Sequence, residues 1–261
     1  MILLSRASVT ILAIVSLGAP RAHAPWRPIS IAAAADSAPL TRAQVVARLD
    51  SATADLPANF SGQNLSGLDL STLDFKRANL SHAKLVGTKM MKAKMFGVNF
   101  DGASASGADL SGATLDVSTM RGTDFTRASL RDASMYAVII QRVNFTDADL
   151  SGARIIGAAQ GAIFVRAKLD HADFGADPRN QPMGVMRVDL SDANLSGADL
   201  TSANMRKVKL TRATLTGANL TGTDLSLAEL SGANFQKITG RATIKGLDQA
   251  KFRDEATFDA P

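Results

Sequence analysis

The stretch Leu190–Phe235 reads LSDANLSGADLTSANMRKVKLTRATLTGANLTGTDLSLAELSGANF. A large apolar residue stands at every fifth position of this stretch: Leu190, Leu195, Leu200, Met205, Leu210, Leu215, Leu220, Leu225, Leu230 and Phe235. A small residue, usually alanine, stands two positions before most of them, and the positions between carry Asp or Asn, Ser or Thr, and often Gly. The fold of the chain follows from this five-residue period.

A period of five fits neither an α-helix nor a flat β-strand. Five helical residues advance about 140° beyond a full turn, so leucines at this spacing would surround a helix and define no buried face. In a strand, residues five apart point to opposite sides of the sheet. Gly, Ser, Thr, Asn and Asp also favour turns over helix interiors. The pattern therefore predicts a solenoid, in which each repeat buries its apolar side only against its neighbours.

The repeat A-(D/N)-L-(S/T)-G resembles that of the pentapeptide-repeat proteins, and the resemblance covers about three quarters of the chain. It implies an all-β fold, a right-handed quadrilateral parallel β-helix with four pentads in each coil. In that family the large central residue and the small residue two positions before it point inward, and the other three positions face outward.

The first 35 residues do not carry the repeat, and we interpret them as a signal peptide and linker. Arg6 precedes an apolar run, Val9–Leu17, that is too short to span a bilayer, and a small-x-small cleavage pattern ends at Ala24. Cleavage there would leave a proline at the new terminus, so cleavage after Ala35 and an uncleaved anchor stay open. The segment predicts a bacterial periplasmic or secreted protein.

A short helix is predicted at the start of the mature chain, in residues 36–56. Thr41 and Gln44 have the spacing of a capping box, in which each side chain bonds the backbone amide of the other residue. Leu40 and Val45 stand at the flanking staple positions. We expect a helix from about Arg42 to Ala52 that covers the first coil, because an open solenoid end exposes its core. A partner-binding helix is the alternative.

The repeats fall into two blocks, residues 57–174 and 188–235. In the first block, twenty central positions from Phe60 to Ile155 are all apolar, and Ala105 is the only small one. The register then shifts by one residue. Residues 175–187 lose the pattern and contain Pro and Gly, which predicts an inserted loop. Residues 236–261 keep apolar residues at irregular spacing, and we interpret them as a C-terminal cap.

Two groups of residues are candidates for binding a partner. An insertion in a solenoid leaves on one side and is a natural binding element. Its candidates are Arg179, Asn180, Met183 and Met186. The second group is a lysine run that should wrap round one coil rather than form one flat patch: Lys84, Lys89, Lys92 and Lys94. A tolerated surface loop and a solvated face are the respective alternatives.

The sequence offers no support for an enzyme. The three histidines, His23, His82 and His171, have no nearby nucleophile or metal-ligand set, and there is no nucleophile elbow or phosphate loop. The absence of cysteine excludes disulfides, thiol catalysis and a lipid-modified cysteine anchor. We therefore predict no catalytic, cofactor-binding or metal-binding residues and no cofactor.

The charge of the chain bears on two further function classes. Some members of the family protect gyrase, a topoisomerase, by mimicking DNA with an acidic rod, but this chain has a formal charge of +5. The sequence also disfavours direct nucleic-acid binding, because it has only one Trp and one Tyr with which bases could stack. We favour a non-catalytic exported scaffold or protein-binding module, with an unidentified protein partner, no nucleic acid and no membrane span in the mature protein. A monomer or an end-to-end dimer is expected.

Overall fold

Each pentad forms a short extended segment that ends in a tight turn. The computed structural model describes residues 39–53, 55–176 and 186–259. The predicted signal segment lies outside these residues, as do the candidate residues Arg179, Asn180 and Met183. Within a pentad we call the large apolar residue central, the residue before it bridging, and the two residues after it turn residues.

Parallel β-bridges join bridging residues that are 20 positions apart, as in Asn59 with Asn79 and Asn64 with Lys84. Four pentads therefore make one coil, and successive coils stack with their segments in register. Backbone hydrogen bonds also join the turns, for example from Gly62 N to Ser81 O at 2.9 Å. Because every coil bonds the next in this way, the chain forms a parallel β-helix.

The interior of the β-helix is filled by the central residues, which are buried from Phe60 to Phe235. Ala105 is buried as well, and the rings of Phe100 and Phe125 approach to 6.2 Å beside it. Complete burial of a Leu or Phe side chain contributes roughly 1.5–3 kcal/mol of transfer free energy. The prediction that the central residues point inward is confirmed.

The small positions two residues before the central ones are also buried, mostly as alanine. Four of them carry a hydroxyl instead, and each hydroxyl donates to a backbone carbonyl 23 residues earlier at 2.7–3.0 Å: Thr88 to Leu65, Ser118 to Met95, Thr123 to Phe100 and Thr223 to Leu200. A buried hydroxyl without such a partner would be costly. These hydrogen bonds explain why Ser and Thr are tolerated at an inward position.

The polar residues of the repeat stabilise its turns. Asp189 Oδ1 accepts hydrogen bonds from Ser191 N at 2.9 Å and from Ser191 Oγ at 2.6 Å. Asp199 makes the same pair of bonds with Thr201, at 3.0 and 2.6 Å. The second turn residue has a positive φ, which glycine adopts without strain. The preference for Asp or Asn, Ser or Thr, and Gly thus follows from turn geometry.

One α-helix, α1, spans Arg42–Asp50 and ends two residues before the predicted limit. Thr41 and Gln44 form the capping box at its start. Val45 and Leu49 are buried, and Lys76 Nζ donates to Leu49 O at 3.1 Å. The helix therefore packs on residues of the first coil.

The register shift after Ile155 is taken up at one corner. Two strands, β1 (Ser134–Ile139) and β2 (Arg154–Ala158), pair in parallel there with an irregularity between Tyr136 and Val138. The following bridges join residues 19 apart, so one corner has lost a residue. The aromatic stack continues through this coil, with ring centroids 5.5 Å apart for Phe125 and Phe145 and 5.1 Å apart for Phe145 and Phe164.

The loss of the repeat after Phe174 corresponds to an insertion. Asp173 bridges Asn204, 31 positions later, and the spacing returns to 20 from Asp189 onward. The chain between Phe174 and Leu190 is therefore eleven residues longer than in a regular pentad. The coils on both sides stay stacked, since Leu169 N still donates to Asp199 O at 2.7 Å.

The final coil is built from repeats of six residues. The spacing of the bridges rises to 21 and then 22, and strand β3 (Asn234–Phe235) pairs in parallel with strand β4 (Thr257–Phe258) at a spacing of 23. The corners contain short 3-10 turns at Arg241–Thr243, Leu247–Gln249 and Arg253–Glu255. The segment predicted as an irregular cap is therefore a last coil with longer corners.

Candidate functional site

The insertion falls at one particular corner of the β-helix, which we call the insertion corner. Backbone hydrogen bonds connect this corner from coil to coil, including Val117 N to Tyr136 O at 2.7 Å and Lys207 N to Ser226 O at 3.0 Å. Its turn residues include, in chain order, Lys76 and Arg77, Phe96 and Gly97, Asp116 and Val117, Tyr136 and Ala137, Ile156 and Gly157, Gly175 and Ala176, Arg206 and Lys207, and Ser226 and Leu227.

Large apolar side chains are exposed on this corner on both sides of the insertion. Phe96 is 54% exposed and Val117 is 46% exposed in the coils before it, and Leu227 is 38% exposed in the coils after it. They are three of the eight large hydrophobic residues that lie exposed in the described part of the chain. Turn positions elsewhere are mostly Gly or polar, so these three residues depart from the repeat.

Two of these residues also adopt an unfavourable backbone conformation. Val117 has a φ of 64° and Leu227 a φ of 60°, in the left-handed region. Among the described residues, no other aliphatic residue larger than alanine has a positive φ in that region. The conformation costs roughly 1–2 kcal/mol for a residue with a Cβ, and for a β-branched residue it is an outlier. Such residues concentrate at functional sites.

A shallow recess of about 330 Å³, the corner recess, lies where the corner has lost a residue. Its described lining consists of residues 137–139 and 157–158 together with Met186, Arg187 and Asp189. Met186, a predicted partner-binding residue, is half-buried and packs against the core, so it turns part of its side chain toward the β-helix.

A second recess of about 340 Å³, the basic recess, lies beyond the insertion on the same corner. Its described lining is Arg187, Lys207, Leu227 and Lys251. Glu229 is the acidic partner there, with its Oε1 atom 2.8 Å from an Arg187 guanidinium nitrogen and 3.8 Å from Lys251 Nζ. Arg187, at the end of the inserted segment, lines both recesses.

The predicted lysine run does not form one surface. Lys84, Lys89 and Lys94 are bridging residues of three successive segments, so they lie on three sides of one coil, whereas Lys92 is an exposed turn residue with a φ of 54°. The bridging lysines have polar neighbours in the adjoining coils: Asn64 and Ser104, Asp69 and Asp109, and Asp74 and Thr114. The lysine run and Met186 therefore do not form one common binding surface.

The two described histidines do not belong to a catalytic arrangement. Asp170 lies between His171, whose Nδ1 atom is 3.3 Å away, and Ser151, whose Oγ atom is 2.5 Å away, so the serine does not bond the histidine. The hydrogen bond from Ser151 lowers the pKa of Asp170 and holds it as a carboxylate. His82 is an exposed turn residue.

Two further properties concern all residues that the structure describes. They contain no group of three or more His, Asp or Glu side chains arranged to hold a metal ion. None of their helices is long and apolar enough to cross a membrane.

Comparison with known protein families identifies the repeat. Eight copies of the model for pentapeptide repeats match the sequence, over residues 58–90, 93–132, 128–159, 187–217 and 209–238. These ranges cover more than half of the chain, which therefore belongs to the pentapeptide-repeat family. The resemblance seen in the sequence is confirmed.

Solved structures of the same family are similar to this chain. HetL, a pentapeptide repeat protein involved in heterocyst differentiation regulation in the cyanobacterium Nostoc sp. strain PCC 7120, matches with a TM-score of 0.52 and 23% identity over 83% of this chain and 94% of HetL. A trypsin-treated form of QnrB1, a plasmid-mediated fluoroquinolone resistance protein, has a TM-score of 0.39 and 20% identity over 74% of this chain and 90% of its own. The likeness to HetL shows the fold alone. No curated protein sequence gave a significant match.

The insertion corner was not predicted from the sequence. Its apolar residues, Phe96, Val117 and Leu227, stand in turn positions of pentads that are 20 or more residues apart, so they are unrelated until the length of a coil is known. A search for large aliphatic residues at the second turn position, which is often Gly, would have found Val117 and Leu227. That signal was present in the repeat.

Proposed function

We propose that this chain is an exported, non-catalytic pentapeptide-repeat protein that binds a protein partner along the insertion corner. Its β-helix is proposed to be right-handed and four-sided, which the bridge spacing of 20 residues supports. One observation carries the proposal: Val117 and Leu227 expose aliphatic side chains in left-handed turns, one on each side of the insertion.

The physical argument is a comparison of costs in the free protein. A left-handed Val or Leu is strained relative to Gly at the same position, by roughly 1–2 kcal/mol. Because Val117 is 46% exposed and Leu227 is 38% exposed, burial in the folded monomer offsets only part of this strain. A partner that covers the corner would bury Phe96, Val117 and Leu227, and each fully buried side chain contributes roughly 1.5–3 kcal/mol. Large apolar side chains that are exposed along one side of a protein are a feature of interaction surfaces.

The insertion and the lysine run have different places in this proposal. Met186 and Arg187 adjoin the corner, and Arg179, Asn180 and Met183 are proposed to contact the partner from the inserted segment. The lysine run is better explained as a solvated surface, because its bridging members lie on three sides of a coil. Export rests on the apolar leader and the lack of cysteine. A monomer or an end-to-end dimer stays a prediction.

Mimicry of DNA is disfavoured by charge. The whole chain has a formal charge of +5. The first 35 residues contain three arginines and no acidic residue, so residues 36–261 have a formal charge of +2. A DNA mimic needs a negative surface, and cations line the recess on the insertion corner. Members of the family are generally scaffolds or binding proteins without enzymatic activity, which agrees with the proposed class.

The test compares two double variants of the full-length, tagged protein in its own host. Phe96→Ser with Val117→Asn alters the insertion corner, and Val86→Ser with Met91→Ser removes exposed apolar side chains from two other corners. After fractionation and crosslinking, the corner variant should lose the crosslinked partner while the control retains it. Circular dichroism and thermal unfolding show that both variants stay folded.

The same experiment contains the results that would overturn the proposal. Retention of the partner by the corner variant would exclude the corner as the binding surface. Absence of any partner crosslinked to the unaltered protein would reject the binding function. Recovery of the protein in the cytoplasmic fraction alone would reject export, independently of the partner.

A further inference from the structure

Several surface cations on this β-helix pair with an acidic residue one coil away. The guanidinium of Arg212 contacts both carboxylate oxygens of Asp192 at 2.7 and 2.8 Å. Arg166 contacts Asp147 in the same way, at 2.7 Å for both bonds. This arrangement follows from the register, because residues about 20 positions apart stack on each other.

The basic recess departs from that arrangement. Lys207 has Ala176 at the equivalent position one coil earlier and Leu227 one coil later, so neither position offers a carboxylate. Its ammonium makes no hydrogen bond or ion pair within the described parts of the chain. Arg187 and Lys251 share one oxygen of Glu229. Three cations thus face one carboxylate around an exposed aliphatic side chain.

Neighbouring carboxylates do not supply the missing charge. Asp224 lies 3.4 Å from a guanidinium nitrogen of Arg206, and it accepts the hydroxyl of Ser226 at 2.5 Å. Asp189 lies 3.5 Å from Lys209 Nζ and accepts from Ser191. Both acids are therefore engaged by other residues, and the described lining of the recess keeps an excess of positive charge.

We infer that the basic recess binds an acidic residue of the protein partner, flanked by an aliphatic residue. Arg and Lys bind carboxylates by charge-assisted hydrogen bonds, and the guanidinium of Arg187 can contact both oxygens at once. Leu227 offers an apolar contact directly beside these cations. A volume of about 340 Å³ is at the lower end of the usual range for ligand pockets and suits a few side chains.

This inference rests on the proposed function, and it names the chemistry that the partner presents to the corner. The basic recess and the proposed binding surface are connected by position, since Leu227 belongs to the insertion corner and Arg187 ends the inserted segment. A free organic acid could offer the same carboxylate and aliphatic group, so the experiment separates the two sources.

The experiment is a titration of the purified full chain, followed by NMR of the Leu227 methyl groups and by calorimetry. The probes are three blocked tripeptides, leucine–glutamate–leucine, leucine–glutamine–leucine and serine–glutamate–serine, together with hexanoate and a short DNA duplex. We expect the first peptide to bind at least ten-fold more tightly than either of the other two peptides and than hexanoate. Equal binding of the glutamate and glutamine peptides would overturn the inference.

Variants locate the binding and separate it from general charge. Lys207→Gln with Lys251→Gln should weaken binding of the first peptide at least ten-fold, and Lys245→Gln, an exposed lysine on the same last coil but outside the recess, should not. Tighter binding of hexanoate than of the peptide would assign the recess to a free organic acid and overturn a partner residue. Binding of the duplex that displaces the peptide would overturn it as well.

Crosslinking in the host distinguishes failure of this inference from failure of the proposed function. If the Lys207→Gln, Lys251→Gln protein keeps its partner as strongly as the unaltered protein, the recess does not contact the partner and the inference is wrong. The proposed function would still stand if Phe96→Ser with Val117→Asn abolishes the same crosslink.

Discussion

The ring of Phe258 stacks on the ring of Phe235, with centroids 4.9 Å apart and planes inclined by 13°, although 23 residues separate the two positions instead of 20. The three additional residues enlarge three successive corners, and the stacked core is kept. Arg241 covers the outer face of Phe258, with its guanidinium carbon 4.9 Å from the ring centroid. The last aromatic ring therefore closes the core.

We predict that Phe258→Ala destabilises the C-terminal coil. The substitution removes the stacked pair, which is worth about 0.5–1.5 kcal/mol beyond the lost burial. Hydrogen exchange should accelerate at the amides of Lys251 and Thr257, which bond the coil beneath. Phe252→Ala is the matched control, because Phe252 is 50% exposed and makes no such stack, and it should leave both amides protected. Unchanged exchange in the Phe258 variant would contradict the closing role of this ring.

Gly157 is expected to be indispensable. A Cβ atom there would lie 2.1 Å from the carbonyl oxygen of Val138, in the corner that has lost a residue. Gly157→Ala should therefore lower the free energy of unfolding on the order of 3 kcal/mol or more. Gly217→Ala, where φ is 70° and no atom lies within 4 Å, should cost only about 1 kcal/mol. Urea denaturation of both variants measures the difference, and equal losses would contradict a steric origin.

The five-residue period alone was sufficient to predict the solenoid and its inward residues. Burial depends on a side chain's place in its own pentad, so a local pattern decides it. The last coil was harder to predict from the sequence, because Ile238, Ile244 and Ala250 follow a six-residue period for too few repeats to stand out. Its regularity becomes clear only when Thr239, Lys245 and Lys251 are seen to bridge the previous coil.

The candidate site was predicted in part. The insertion could be recognised from its lost pattern, but Lys207 and Lys251 converge only through stacking of coils that are 44 residues apart in sequence. Sequence spacing also changes around the site, from 19 to 31 and then to 20 residues per coil. The lysine run, by contrast, was conspicuous in sequence because its members are close along the chain, and the turns of the coil separate them.

Removal of the insertion should leave the β-helix folded. Deletion of residues 176–186 takes out eleven residues and restores a spacing of five between Phe174 and Leu190, and of 20 between bridged residues such as Asp173 and Asn204. Loop closure becomes entropically easier, so the melting temperature should stay the same or rise slightly. Deletion of 176–185, one residue fewer, is the control and should disturb the register. A large fall in melting temperature for the longer deletion would show that the insertion supports the core.

Stability should decrease in acid through partly buried aspartates such as Asp189. Burial alone would raise the pKa of Asp189, but hydrogen bonds from Ser191 and Gln160 and the charge of Lys209 outweigh it and hold the pKa below its usual value. Protonation therefore favours the unfolded chain. The contribution is complete above the unfolded pKa of about 3.9 and is lost as the pH falls through the lower folded value.

Asp189→Asn provides the test of this pH dependence. The variant keeps an oxygen that accepts from Ser191 but has no charge to lose, so its stability should fall less between pH 7 and about 3 than that of the unaltered protein. Urea denaturation across this range measures both. Asp50→Asn, on an exposed residue at the end of the helix, is the control, and a similar change in both variants would contradict the assignment to Asp189.

Val117 should reveal a conflict between stability and binding. Asn adopts the left-handed region more readily than a β-branched residue, so Val117→Asn should raise the free energy of unfolding by about 0.5–1 kcal/mol. Val86→Asn replaces an equally exposed valine outside that region and should bring no such gain. If Val117 is retained for binding, the more stable variant should also crosslink its partner less efficiently. A variant that gains no stability would show that this turn holds no strain, and the argument for the insertion corner would then rest on exposure alone.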